Sequence, residues 1–131
     1  MSRYLLDTTA LIDLAKGREP ATSAIHRWIE DGDELAVSAV QVAEFYRGVR
    51  PAERPVWDEF FATLTYLDIS LGAARRAGTM RYDLDRQGNA LPLTDTLIAV
   101  AAVEAGMALV TGNVRHYAPI EGVRLVDMRG Q

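Results

Sequence analysis

Residues 3–17, "RYLLDTTALIDLAKG", decide how the chain begins to fold. Tyr4, Leu5 and Leu6 read as the end of a buried strand, so residues 3–7 are assigned to a strand. The second apolar run, Ala10, Leu11, Ile12 and Leu14, reads as a short helix over Thr9–Ala15 that Gly17 stops. Between them stands Asp7, where the pattern wants another apolar residue. A buried, unpaired carboxylate costs several kcal/mol unless something compensates it. Asp7 therefore either caps the helix that follows or faces a cation.

The same strand-to-helix alternation repeats down the chain. Residues 21–31 form a helix with Ile25, Trp28 and Ile29 at core spacing, and 35–37 a second strand. Ser38 lies three residues before Gln41, the spacing of a capping box, and opens a helix that carries Glu44 and stops at Gly48. Pro55 suits the first turn of a helix bearing Trp57, Phe60, Phe61 and Leu64. Residues 66–69 are a third strand, and Ser70 caps a helix to Arg86 closed by Gly88 and Asn89. Thr94 is the expected N-cap of a helix over Asp95–Ala105, apolar all round and hence buried, with Gly106 as its stop. Residues 107–110 and 123–126 complete the strands. Such alternation predicts an α/β fold with a mostly parallel sheet covered on both faces, whose functional sites lie at the carboxyl ends of the strands.

The bulk numbers suit one domain over residues 1–131: 49% hydrophobic and 24% charged residues are an ordinary globular composition. No cysteine is present, which excludes disulfides, thiolate metal sites and cysteine nucleophiles and suits a reducing, cytoplasmic setting. The N-terminal stretch meets Asp7 too soon to be a signal peptide, and no apolar run approaches the ~20 residues of a membrane helix. The net charge of −4 argues against a strongly basic nucleic-acid surface, although acids gathered at a metal site leave arginines free elsewhere. Lys16 is the only lysine.

The acids carry the functional signal. Asp7 ends the first strand, Asp95 begins the buried helix, and Thr111 and Asn113 follow the "MALV" strand in "VTGNVRHY". Glu44 lies on the helix after the second strand. These positions are placed to share one edge of the sheet. Three carboxylates and an amide oxygen suit Mg²⁺ or Mn²⁺, which prefer oxygen ligands, and such a site suits phosphodiester hydrolysis. The plainer readings stand beside this one. Asp95 in a first turn meets the helix dipole favourably by about 0.3–1 kcal/mol, Asp7 is a competent N-cap, and Glu44 is a solvated helix residue. Asp13 reads as solvated as well. His26 reads as solvated, and His116 as a packing or hydrogen-bonding residue.

Taken in order, "YLLDTTALIDL", "SAVQVAEFYRG", "LPLTDTLIAVAA" and "LVTGNVRHY" resemble the PIN-domain ribonucleases, and most closely the VapC-type toxins of bacterial toxin–antitoxin pairs. The resemblance runs from Tyr4 to about Tyr117. It implies a three-layer α/β/α sandwich and an endoribonuclease dependent on Mg²⁺ or Mn²⁺ that cuts tRNA, rRNA or mRNA. It matches Asp7, Glu44 and Asp95 to the family's metal-holding acids and places Asn113 at a fourth position that is often Asp. Thr9 and Thr111 fall at hydroxyl positions beside the acids. Arg47, Arg50 and Arg115, with Arg54, are candidates for RNA phosphates. The resemblance further implies an antitoxin partner, with Trp28, Trp57, Phe60 and Phe61 as candidate apolar contacts or core, and a homodimer that forms a heterotetramer or larger assembly with the antitoxin. The alternatives are a non-catalytic PIN-like interaction module and a housekeeping RNA-processing nuclease. A receiver domain fits poorly, because Asp7 is followed by threonines and not by a second acid. A phosphate-loop nucleotide binder lacks its glycine-rich loop.

Overall fold

A computed structural model of the chain describes residues 1–129. Among them, strands β1 (Arg3–Leu6), β2 (Glu34–Ser38), β3 (Thr65–Leu67), β4 (Ala108–Thr111) and β5 (Leu125–Asp127) form one sheet in the order β3-β2-β1-β4-β5. All four pairings are parallel. The helices are α1 (Thr8–Ala15), α2 (Ala21–Glu30), α3 (Ala39–Tyr46), α4 (Arg54–Ala62), α5 (Leu71–Arg86), α6 (Leu93–Ala105) and the short α7 (Val114–Tyr117).

The central strands are apolar on both faces, as a sheet covered twice requires. Leu5 of β1 and Leu109 of β4 pack with Leu84, Ile98, Ala99 and Ala102 in the layer of α5 and α6. Leu6 and Val110, their neighbours along the strands, point the other way into Leu11, Ile25, Trp28 and Phe45 in the layer of α1, α2 and α3. The α/β/α sandwich expected from the sequence is the fold observed.

Local signals hold in most places. Gln41 Oε1 takes both the backbone N–H (3.1 Å) and the hydroxyl of Ser38, and Gln41 Nε2 donates to the last carbonyl of β1, that of Leu6, at 3.2 Å. That tie fixes where β1 ends. Ser70 caps α5 by accepting from Ala73 N–H at 3.0 Å. Gly106 ends α6 in the left-handed region at φ 67°, where a side chain would be strained.

Several boundaries shift. α6 begins at Leu93, two residues before the expected start: Pro92 occupies the N-cap position in place of Thr94 and its carbonyl accepts from Thr96 N–H, while Thr94 makes no cap. The φ of Pro92, −57°, already suits a helix start. β3, β4 and β5 sit one or two residues from their expected bounds because ladder partners set strand ends; Thr111, for example, pairs with Asp127.

Candidate acidic site at the carboxyl edge of the sheet

β1 is the middle strand, and the chain leaves it at Asp7, which is 4% exposed. Asp7 is the N-cap of α1 and, at the same time, the centre of a ring of hydrogen-bond donors. Its Oδ1 accepts from the Thr8 backbone N–H at 2.8 Å and from the Tyr117 hydroxyl at 3.1 Å. Its Oδ2 accepts from the Thr111 hydroxyl at 2.7 Å. The Thr9 hydroxyl lies 3.3 Å from both Asp7 Oδ2 and Thr111 Oγ1, and its single proton serves one of them. Thr9 and Thr111 are in turn placed by backbone donors, Gly112 N–H at 2.9 Å and Asn113 N–H at 3.0 Å. Every donor on Asp7 is neutral. Burial raises its pKa above the ordinary aspartate value, and the four hydrogen bonds, led by that of Thr111, only partly oppose this.

Glu44 leans in from α3 and accepts from the Thr8 hydroxyl at 2.7 Å. Thr8 thus holds one carboxylate through its backbone N–H and another through its side chain. Asp95 lies in the first turn of α6 and meets His116 Nδ1 at 3.0 Å. Burial, then the charge of Asp7 and, less, that of Glu44, push Asp95 up to about 6, with His116 opposing. The structure therefore gathers Asp7, Glu44 and Asp95 closely enough for their charges to act on one another. No group of three His, Cys, Asp or Glu side chains among the described residues is already arranged to hold a metal ion. Asn113 stands half-buried at the same edge, and its side-chain amide makes no hydrogen bond among the described residues.

Tyr117 and Thr8 are site residues that the sequence reading missed. A tyrosine after a strand reads as core, and Tyr117 is indeed 1% exposed. Burial and then the Asp7 charge push its hydroxyl well above the ordinary tyrosine range, so it remains a protonated donor.

Asp13 requires a correction. It is 2% exposed, not solvated, and its two oxygens accept from Arg129 Nη2 at 2.9 Å and Nε at 3.0 Å. Arg18 adds a longer contact at 3.4 Å. The Arg129 side chain reaches Asp13 across Gly112, where a Cβ would come within 2.5 Å of Arg129 Nε.

The arginines divide. Arg47 and Arg115 are exposed and form no ion pair among the described residues, whereas Arg50 is engaged by Glu53 at 2.6 Å. Trp28 is core, stacked on Tyr4 at 4.1 Å, and Trp57, Phe60 and Phe61 cluster half-buried around Phe45. His26 is exposed, as expected.

Fold and edge together define an α/β protein with a carboxylate-rich site at the carboxyl ends of a parallel sheet, the position at which such sheets carry their ligands. The chain belongs to the PIN-domain family, which matches residues 4–119. It is 30% identical to Ribonuclease VapC2 of Haemophilus influenzae over 95% of this chain and 96% of that one. It is also 30% identical to the tRNA(fMet)-specific endonuclease VapC of Shigella flexneri, over 97% and 98% of the two chains. A solved toxin–antitoxin complex from Klebsiella pneumoniae contains a chain that superposes with a TM-score of 0.76 at 27% identity, covering 94% of this chain and 95% of that one.

Proposed function

We propose that the protein is a metal-dependent endoribonuclease, the toxin of a bacterial toxin–antitoxin pair, acting in the cytoplasm on tRNA, rRNA or mRNA. The observation that carries this reading is the charge imbalance at the edge: a buried Asp7 whose hydrogen-bond donors are all neutral, with the carboxylates of Asp95 and Glu44 close enough for their charges to act on one another. Such a cluster calls for an external cation. The donor set fits Mg²⁺ or Mn²⁺, since it is all oxygen and carries surplus negative charge. Asp7, Glu44 and Asp95 are the residues that would hold it.

When bound, the cation supplies Lewis acidity toward water and phosphate. The chain's own residues orient the acids. Thr8 sets Glu44 against Asp7, while Thr111, Thr9 and Tyr117 fix the Asp7 carboxylate plane. His116 holds one oxygen of Asp95. The unengaged amide of Asn113 is free to orient water or a phosphate oxygen. Hydrolysis breaks the bond from phosphorus to the 3′-oxygen and leaves a 5′-phosphate and a 3′-hydroxyl, with no protein nucleophile. Relatives named as ribonucleases, and a structural neighbour from a toxin–antitoxin complex, support the toxin role and an antitoxin partner over a non-catalytic module or a housekeeping nuclease.

The test is incubation of antitoxin-free protein with total RNA and Mg²⁺ or Mn²⁺, followed by mapping of 5′ ends. The expected result is discrete cuts bearing 5′-phosphates, absent in chelator and in Asp7→Asn. No cleavage with any divalent metal would contradict the reading.

A further inference from the structure

Thr9 and Asp13 lie four residues apart on α1, on one face of the helix. Both reach toward the far end of the chain. Thr9 Oγ1 takes the Gly112 N–H at 2.9 Å, and Asp13 takes Arg129 through Nε at 3.0 Å and Nη2 at 2.9 Å. To make that pair, Arg129 passes directly over Gly112. The three atoms nearest to where a Cβ would stand on Gly112 are Nε, Cδ and Cζ of Arg129, at 2.5, 2.7 and 2.9 Å. We propose that Arg129, anchored on Asp13, is a positioning residue for RNA cleavage: it clamps the turn at Gly112 and so sets where the next residue, Asn113, stands at the acidic edge. The inference rests on the ribonuclease reading and on the role given there to the Asn113 amide.

The turn is gripped from two sides. Thr9 holds its backbone N–H, and Arg129 covers its open face. Gly112 serves this arrangement by its size, since its φ lies outside the left-handed region and places no demand on the backbone. The arginine is itself delivered by β5: Met128 N–H donates to the Thr111 carbonyl at 2.9 Å, and Arg129 N–H to Asp127 Oδ1 at 2.8 Å. Its anchor is buried, with Asp13 only 2% exposed. Asn113 follows with its N–H on Thr111 Oγ1 at 3.0 Å, and its side-chain amide makes no hydrogen bond among the described residues. An amide without a partner takes its place from the backbone that carries it. A misplacement of about 1 Å at a reacting group costs up to about 10²-fold in rate. Asp7 keeps its Thr8, Thr111 and Tyr117 donors without the clamp, so cation binding does not depend on Arg129.

The test combines steady-state RNA cleavage, measured well below each variant's Tm, with the rise in Tm that Mn²⁺ produces. Arg129→Met removes the fork, and the added methyl of Gly112→Ala drives it off the turn. Each is expected to lower kcat about ten-fold, with KM within about two-fold and the Mn²⁺ response retained. The double variant Asp13→Leu with Arg129→Met separates position from stability: it is expected to regain stability in urea while its kcat stays low. Asn113→Ala is expected to lower kcat by itself, and Arg129→Met added to it to lower kcat by no more than about two-fold further, because both changes remove one function. This last comparison decides even where the double variant at Asp13 fails to fold. A kcat that returns together with stability overturns the proposal and leaves Arg129 a stabilising partner only. A full ten-fold loss on top of Asn113→Ala, or an Asn113→Ala protein as active as the wild type, overturns it as well. Wild-type protein that cleaves nothing overturns the ribonuclease reading itself, a result distinct from the others.

Discussion

Asp7 and Asp13 stand six residues apart at the two ends of α1. Both are almost fully buried, and both carboxylates use both oxygens. Their partners differ in kind. Asp13 faces two arginines, and the hydrogen bond from Arg129 leads in holding its pKa below the ordinary aspartate value. Asp7 faces one backbone N–H and three hydroxyls, and burial wins, so its pKa is raised. Hydrogen bonds from neutral groups orient a carboxylate without cancelling its charge. Asp13 thus has charged partners in direct contact, whereas Asp7 has only neutral ones, the difference expected if Asp13 is structural and Asp7 serves the proposed cation.

The sharpest break in that contrast is expected from Asp7→Asn: RNA cleavage falls about 10³-fold or more, with the far-ultraviolet circular dichroism spectrum unchanged. Unaltered cleavage would remove Asp7 from the site. At the other aspartate the effect falls on stability. Arg129→Met leaves Asp13 with only the longer Arg18 contact and is expected to cost about 2 kcal/mol in urea unfolding. That deficit is full above the unfolded aspartate pKa of about 3.9 and fades below it, because the native pKa of Asp13 is lowered. The double variant Asp13→Leu with Arg129→Met is expected to recover most of the loss, and if it does not, the pair is not acting as a unit.

Asp95 carries the opposite sign. Its native pKa of about 6 lies above the unfolded value, so the native state holds the proton more tightly. In metal-free protein, stability is expected to decline by ~1–2 kcal/mol as pH rises through 4–6, after allowance for solvent screening. Asp95→Asn should flatten that decline, and an unchanged profile would show that Asp95 is not coupled to its neighbours. The smallest effect is expected from Tyr117→Phe, which removes one neutral donor from Asp7. A loss of about 1 kcal/mol and a weaker apparent affinity for Mn²⁺ are expected, with the fold retained.

The sequence displays one half of this contrast and hides the other. Asp7 and Asp95 are visible because one breaks an apolar run at the end of β1 and the other opens an apolar helix, and Glu44 because it interrupts the apolar stretch of α3; the parallel topology then brings them to one edge. The sandwich itself is legible from strands that are apolar on both faces. Asp13 is not legible, because its partner lies 116 residues away and helical periodicity carries no information about it. Tyr117 is hidden for a similar reason: its hydroxyl becomes a site donor only once α7 folds back over β1. The start of α6 is not legible either, because Thr94 has the chemistry of a cap whereas Pro92 sets the first turn.

Thermal unfolding of three proteins with and without Mn²⁺ tests the central claim most directly: the wild type, Asp7→Asn and Asp13→Asn. A cation that binds only the native state raises Tm, with the logarithm of its concentration once that exceeds Kd. The account predicts that Mn²⁺ raises the Tm of the wild type and of the destabilised Asp13→Asn by similar amounts and leaves Asp7→Asn unmoved. An equal rise in Asp7→Asn, or none in the wild type, would contradict it.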